Sequence, residues 1–84
     1  MAEIKNNLRA RLEQNPQARI RLIVRVKGDL DQAAETMRAQ GWKVRRKMAL
    51  IAGLAVEGPA GDALTLANEA WVRSIEEDRA VHTM

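Results

Sequence analysis

Residues 19–27, RIRLIVRVK, alternate between apolar and charged positions at every place but one. Ile20, Leu22, Val24 and Val26 fall on one side, and Arg19, Arg21, Arg25 and Lys27 on the other. A period of two predicts a strand with one buried face. Ile23 breaks the pattern, because it sits among the cations. Gly28-Asp29 ends the strand, Asp29 is a suitable N-cap, and Gln32 has capping-box spacing. Leu30, Ala33, Ala34 and Met37 then recur at i, i+3, i+4 and i+7, which predicts a helix closed by Gly41 as its C′ residue. Trp42, Val44 and Arg46 alternate with Lys43, Arg45 and Lys47, a second strand. A turn near Met48-Ala49 leads to a third strand over LIAGLAVE (50–57), which Gly58-Pro59 breaks. AGDALTLANEA (60–70) suits a short helix with Ala63, Leu64, Ala67 and Ala70 inward, and WVRSIE (71–76) suits a fourth strand. Before all of these, Ile4, Leu8 and Leu12 form one weak helical stripe, broken at Asn15-Pro16 because a residue preceding proline avoids the helical region.

The predicted order is strand, helix, strand, strand, helix, strand. With right-handed crossovers this gives an α+β domain of ferredoxin-like βαββαβ type, a four-stranded antiparallel sheet with two helices on one face. Residues 1–18 are then an N-terminal arm or short helix, 19–78 the domain, and 79–84 an extended tail.

Helices on one face leave the other to water, where polar residues are expected. The third strand does not comply. If Leu50, Ala52, Leu54 and Val56 face the helices, Ile51, Gly53 and Ala55 lie on the open face. Ile23 joins them from the first strand. With Trp71 and Ile75 inward, Val72, Ser74 and Glu76 join from the fourth, and Asp78 continues along the same side. The result is a flat, weakly apolar surface ringed by arginines, and such a patch marks an interface with a partner or a second copy.

Composition sharpens this picture. The chain has 84 residues, room for one core only, and buries roughly 60–65 % of its unfolded surface. It has no cysteine, hence no disulfide or thiolate metal site. No apolar run approaches the roughly 20 residues of a membrane span, and no membrane partner is expected. The first residues lack the apolar stretch of a signal peptide. The chain therefore starts in the cytoplasm if Met1 is native, and is secreted if a signal has been removed. The net charge of +3 conceals an asymmetry: residues 1–56 hold twelve Lys/Arg against five acids, and residues 57–84 hold two Arg against six acids. This reads either as two solvated surfaces of opposite sign or as an acidic end that recognises something.

Catalytic chemistry is missing. The chain has one Ser, Ser74, and one His, His82 in the tail, so no nucleophilic triad is credible and no enzyme activity is expected. A lone His with scattered acids is a poor metal site, and no phosphate loop or other cofactor motif is present. Nucleic-acid binding is disfavoured, because exposed strand aromatics would be needed to stack bases. Phe and Tyr are absent, and Trp42 and Trp71 have the parity of core residues.

The C-terminal stretch VRSIEEDRAVHTM (72–84) resembles the end of subtilisin propeptides, with their Val-x-x-Val-Glu-x-Asp-His pattern and cleavable extended tail. IRLIVRVKG (20–28) is similar to the family's first strand, GWKV (41–44) to its second and LIAGLAVE (50–57) to its third. The resemblance covers roughly residues 19–84, with Arg79 standing where the family has His. It implies an inhibitor of a subtilisin-like serine protease, either free-standing or a propeptide that also assists its protease's folding. By that likeness the open sheet face rests on two surface helices of the protease, contacting it through Ile23, Ile51, Val72 and Ser74. Glu76 and Asp78 cap the N-termini of those helices, where unpaired N–H groups and the helix dipole favour a carboxylate. The tail, Arg79, Ala80, Val81, His82, Thr83 and Met84, lies product-like in the cleft, with Met84 and Val81 in its apolar pockets. The free chain is expected to be a monomer. The alternative is a ferredoxin-like module that binds RNA or dimerises through the open face.

Overall fold

A computed structural model describes residues 2–78. The order of elements is β1 (Glu3–Ile4), α1 (Asn6–Gln14), β2 (Arg19–Val26), α2 (Leu30–Ala39), β3 (Lys43–Met48), a 3₁₀ turn (Ala49–Ile51), β4 (Gly53–Pro59), α3 (Ala60–Leu66) and β5 (Val72–Glu77). The class is α+β, as expected. The sheet, however, is five-stranded and mixed, in the order β1-β5-β2-β4-β3, and three helices accompany it. That corrects the expected four antiparallel strands and two helices. β2 pairs antiparallel with both β4 and β5, β3 pairs antiparallel with β4, and β1 pairs parallel with β5.

The additional strand and helix come from residues 2–14: the short helix expected there is present as α1, and it packs into the core instead of standing apart as an arm. The weak stripe of Ile4, Leu8 and Leu12 is buried, with Leu12 wholly removed from water. Ile4 lies opposite Ile75, and Ala2 N–H donates to Ala67 O at 3.0 Å. Pro16 ends the segment beside α3, where Gly61 N–H donates to Pro16 O at 2.8 Å. One apolar cluster joins all three helices to a single face of the sheet, built around Leu22, Val24, Leu54, Val56 and Ile75. Each such side chain contributes roughly 1.5–3 kcal/mol on burial.

Local chemistry fixes the elements. Asp29 Oδ1 accepts from Asp31 N–H at 2.9 Å and Gln32 N–H at 3.3 Å, capping α2. α2 closes in a Schellman motif: Gly41 N–H donates to Arg38 O and Trp42 N–H to Met37 O. The C′ residue must be left-handed, and Gly41 has φ +96°. Trp42 then folds flat onto Gly58, where an added Cβ would stand 2.6 Å from the ring.

Four expectations about parity and boundaries fail, each for a local reason. In β3 a register shift between Val44 and Arg46 sets Val44 opposite Val56 but Arg46 opposite Ala55, so the two do not share a side as the alternation implied. The third strand starts at Gly53 and not Leu50, because Ala49–Ile51 coil into a 3₁₀ turn closed by Ala52 at φ +52°. Leu50 therefore projects into solvent instead of the core. In β5 a register shift lies between the pairs Arg25↔Ser74 and Val26↔Val72, leaving Arg73 as the extra residue. Val72 is thereby turned to the core side, where it is 3 % exposed. In α3 the inward residues are Ala60, Ala63 and Leu66, followed by Ala67, while Ala70 is exposed beyond the helix.

Candidate functional site

The face of the sheet away from the helices is where the unexplained apolar residues gather. β2 supplies Ile23 from the centre of the sheet, opposite Ala55 of β4 and Glu76 of β5. The 3₁₀ turn supplies Ile51, which folds back over the start of β4. A Cβ built on Gly53 would stand 3.1 Å from Ile51 Cδ1 and 3.6 Å from Ile23 Cγ2. The missing side chain of Gly53 is thus the space in which the two isoleucines converge. Ala55 is 2 % exposed yet lies outside the main core cluster, covered on this second face. Ser74 is half-buried opposite Arg25. Ile23, Ile51 and Ser74 therefore share the face, as expected, and Val72 does not.

The acidic end of β5 divides by parity. Glu77 lies opposite Leu22, on the helix side, and pairs with Arg11 of α1. Glu76 lies opposite Ile23, on the open side, exposed and 4.0 Å from Arg25. Asp78 N–H donates to Arg21 O at 2.9 Å, so pairing continues one residue beyond the strand and holds Asp78 on the same side as Glu76. One acid of the three is spent inside the fold, tying α1 to the sheet. The other two stand along the margin of the apolar patch. Arg11 has no signal in the sequence that would link it to Glu77, 66 residues away.

Cations ring the patch and are partly neutralised. Glu57 accepts from Arg19 Nε at 3.1 Å and has Arg21 Nε at 3.8 Å. The Arg19 hydrogen bond, with Arg21 and Lys43 adding to it, holds the Glu57 carboxyl below its ordinary range. On the helix side of the sheet, Lys47 donates to Asp31 of α2 at 2.6 Å and depresses that carboxyl likewise. A cleft of about 500 Å³ opens between the end of α1 and the start of β2, with Arg11, Arg21, Glu77 and Asp78 among its walls. Trp42 is buried and Trp71 half-buried, so no tryptophan among the described residues stands clear as a base-stacking platform. The residues expected to enter a protease cleft, 79–84, lie outside the described residues.

No protein-family model matches the chain, and no curated protein matches it.

Proposed function

We propose that this chain is a propeptide-type inhibitor of a subtilisin-like serine protease and docks through the open face of its sheet. The observation that carries the reading is the convergence of Ile23 and Ile51 over Gly53, with Glu76 and Asp78 aligned along one margin. The isoleucines desolvate against apolar residues of the protease. The two carboxylates meet the N-termini of its surface helices, where unpaired N–H groups and about half a positive charge await an anion. Arg25, at 4.0 Å from Glu76, is a loose partner that Glu76 leaves at little cost. Residues 79–84 then follow Asp78 into the cleft and add a strand by main-chain pairing. In this reading the antiparallel block β5-β2-β4-β3, with α2 and α3, is a ferredoxin-like core to which β1 and α1 have been added.

Ile23→Asp tests the docking face directly. It places a charge that must be desolvated at the centre of the patch, so binding to a catalytically inactivated subtilisin should weaken more than tenfold. The fold should persist, because Ile23 lies outside the main core. Undiminished binding of a folded Ile23→Asp variant rules out the open face as the docking surface.

A further inference from the structure

The turn between β3 and β4 carries a leucine and two arginines that the docking face leaves unused. Ile51 leans over Gly53 on the patch, whereas its neighbour Leu50 is 103 % exposed and contributes to neither the patch nor the core. Arg45, Arg46 and Lys47 precede Leu50 in the chain, separated from it by Met48 and Ala49. Lys47 is occupied by Asp31, but Arg45 and Arg46 are exposed and make no ion pair among the described residues. Arg25 lies opposite Gly53 at the same end of the sheet. Lys27 is brought there too, since its N–H donates to Trp71 O at 2.8 Å. One end of the sheet is thus basic with an apolar point, while Glu77 and Asp78 lie at the other.

We propose that this turn docks on an anionic lipid surface, with Leu50 entering the headgroup–acyl boundary and Arg45 and Arg46 meeting lipid phosphates. The chemistry favours this occupant over others. A second copy packed on this turn by two-fold symmetry would gather the same arginines of both copies into one interface, with no carboxylate from the turn to offset them. A nucleic acid would use the cations but has no use for a bare leucine, and the stacking aromatics it favours are not exposed here. An anionic bilayer satisfies both features: cations draw the tip to the surface and the apolar point enters the interface. No helix of the described residues is long and apolar enough to cross a membrane, so the attachment is peripheral. Leu50 stands at the turn and not on the patch between Ile23 and Gly53, so this inference does not depend on the protease reading.

The test is co-sedimentation of the full chain with vesicles of mixed phosphatidylcholine and phosphatidylglycerol, and with vesicles of phosphatidylcholine alone. The chain should sediment with the mixed vesicles only, and less as salt rises. Leu50→Asp should cut partitioning by about tenfold or more with an unchanged thermal midpoint. Arg45→Glu with Arg46→Glu should abolish it, since each cation near the surface is worth about fivefold in partitioning. No sedimentation with the mixed vesicles, or equal sedimentation of wild type and Leu50→Asp, overturns the proposal. So does an oligoribonucleotide that displaces the chain from the mixed vesicles and binds it regardless of Leu50, because the cations then belong to a nucleic-acid surface.

Discussion

Ile23 of β2 and Ile51 of the β3–β4 turn meet over Gly53, on the face of the sheet that no helix covers. Their approach to this space depends on glycine: a Cβ there would stand 3.1 Å from Ile51 Cδ1, so something must give by a few tenths of an ångström. Ile51 is 39 % exposed and is the side chain free to move. Gly53→Ala should therefore leave the thermal midpoint within a few degrees while displacing Ile51 from the patch. Protease inhibition should weaken several-fold. A midpoint that collapses would show that Gly53 serves the core, and unchanged inhibition would show that the convergence of the two isoleucines is irrelevant to docking.

Leu12 has no exposed surface, and residues 2–14 contribute both β1 and α1 to the core. Leu12→Ala should cost roughly 2–5 kcal/mol, a large part of what a domain of this size possesses. Removing residues 1–18 should prevent cooperative unfolding altogether, as judged by thermal denaturation followed by circular dichroism. A truncated chain with a full cooperative transition would return this segment to the status of an arm.

The reason this was not legible in the sequence is physical. Three apolar residues at Ile4, Leu8 and Leu12 make a stripe too narrow to distinguish a packed helix from a frayed one. What they pack against is β5 and α3, elements at the far end of the chain. The alternating β2, the capped α2 and the break at Pro16 were legible because their signals are local. The parity of Val72 was not, because a bulge inserts one residue and reverses the facing of what precedes it, and the Arg at position 73 has no bulge signature. Leu50 misled for a similar reason: an apolar run reads as strand, whereas Ala52 in the left-handed region ends a 3₁₀ turn there. The candidate face was legible at Ile23, Ile51, Ser74 and Glu76. The internal use of Glu77 was not, since its partner Arg11 is on a helix the pattern barely marked.

Stability should depend on acid pH through Glu57 and Asp31. Both carboxyls are held below their ordinary values in the folded chain, by Arg19 and Lys47 respectively. A carboxylate depressed on folding adds stability above its unfolded pKa, and that stability is lost as pH falls through the folded value. The thermal midpoint should be level at neutral pH and decline below about pH 4. Both pairs are on the surface, so the decline should be shallow, and shallower again in Arg19→Ala. A wild-type midpoint that rises on acidification would contradict the assignment of these pairs.

Glu76 and Asp78 share the open side of β5, whereas Glu77 is engaged by Arg11. Charged contacts at helix termini contribute roughly 0.3–2 kcal/mol each. Glu76→Ala with Asp78→Ala should therefore weaken inhibition by up to several hundredfold, with little effect on the fold. Glu77→Ala should do the reverse, lowering the thermal midpoint by removing the tie to α1 and sparing inhibition. Inhibition constants and midpoints measured on the three variants separate the two roles. If Glu77→Ala weakens inhibition more than the double variant, the division by parity is wrong.

The choice of target is tested most directly by the inhibition constant of the full chain against a subtilisin-type and a chymotrypsin-type protease side by side. The two enzymes share a catalytic triad on unrelated folds, and in the proposed docking only the subtilisin fold offers the pair of surface helices that the open face and its two carboxylates require. The subtilisin-type enzyme should be inhibited in the nanomolar-to-micromolar range and the chymotrypsin-type enzyme left untouched. Inhibition of both alike, or of neither, contradicts the proposed docking.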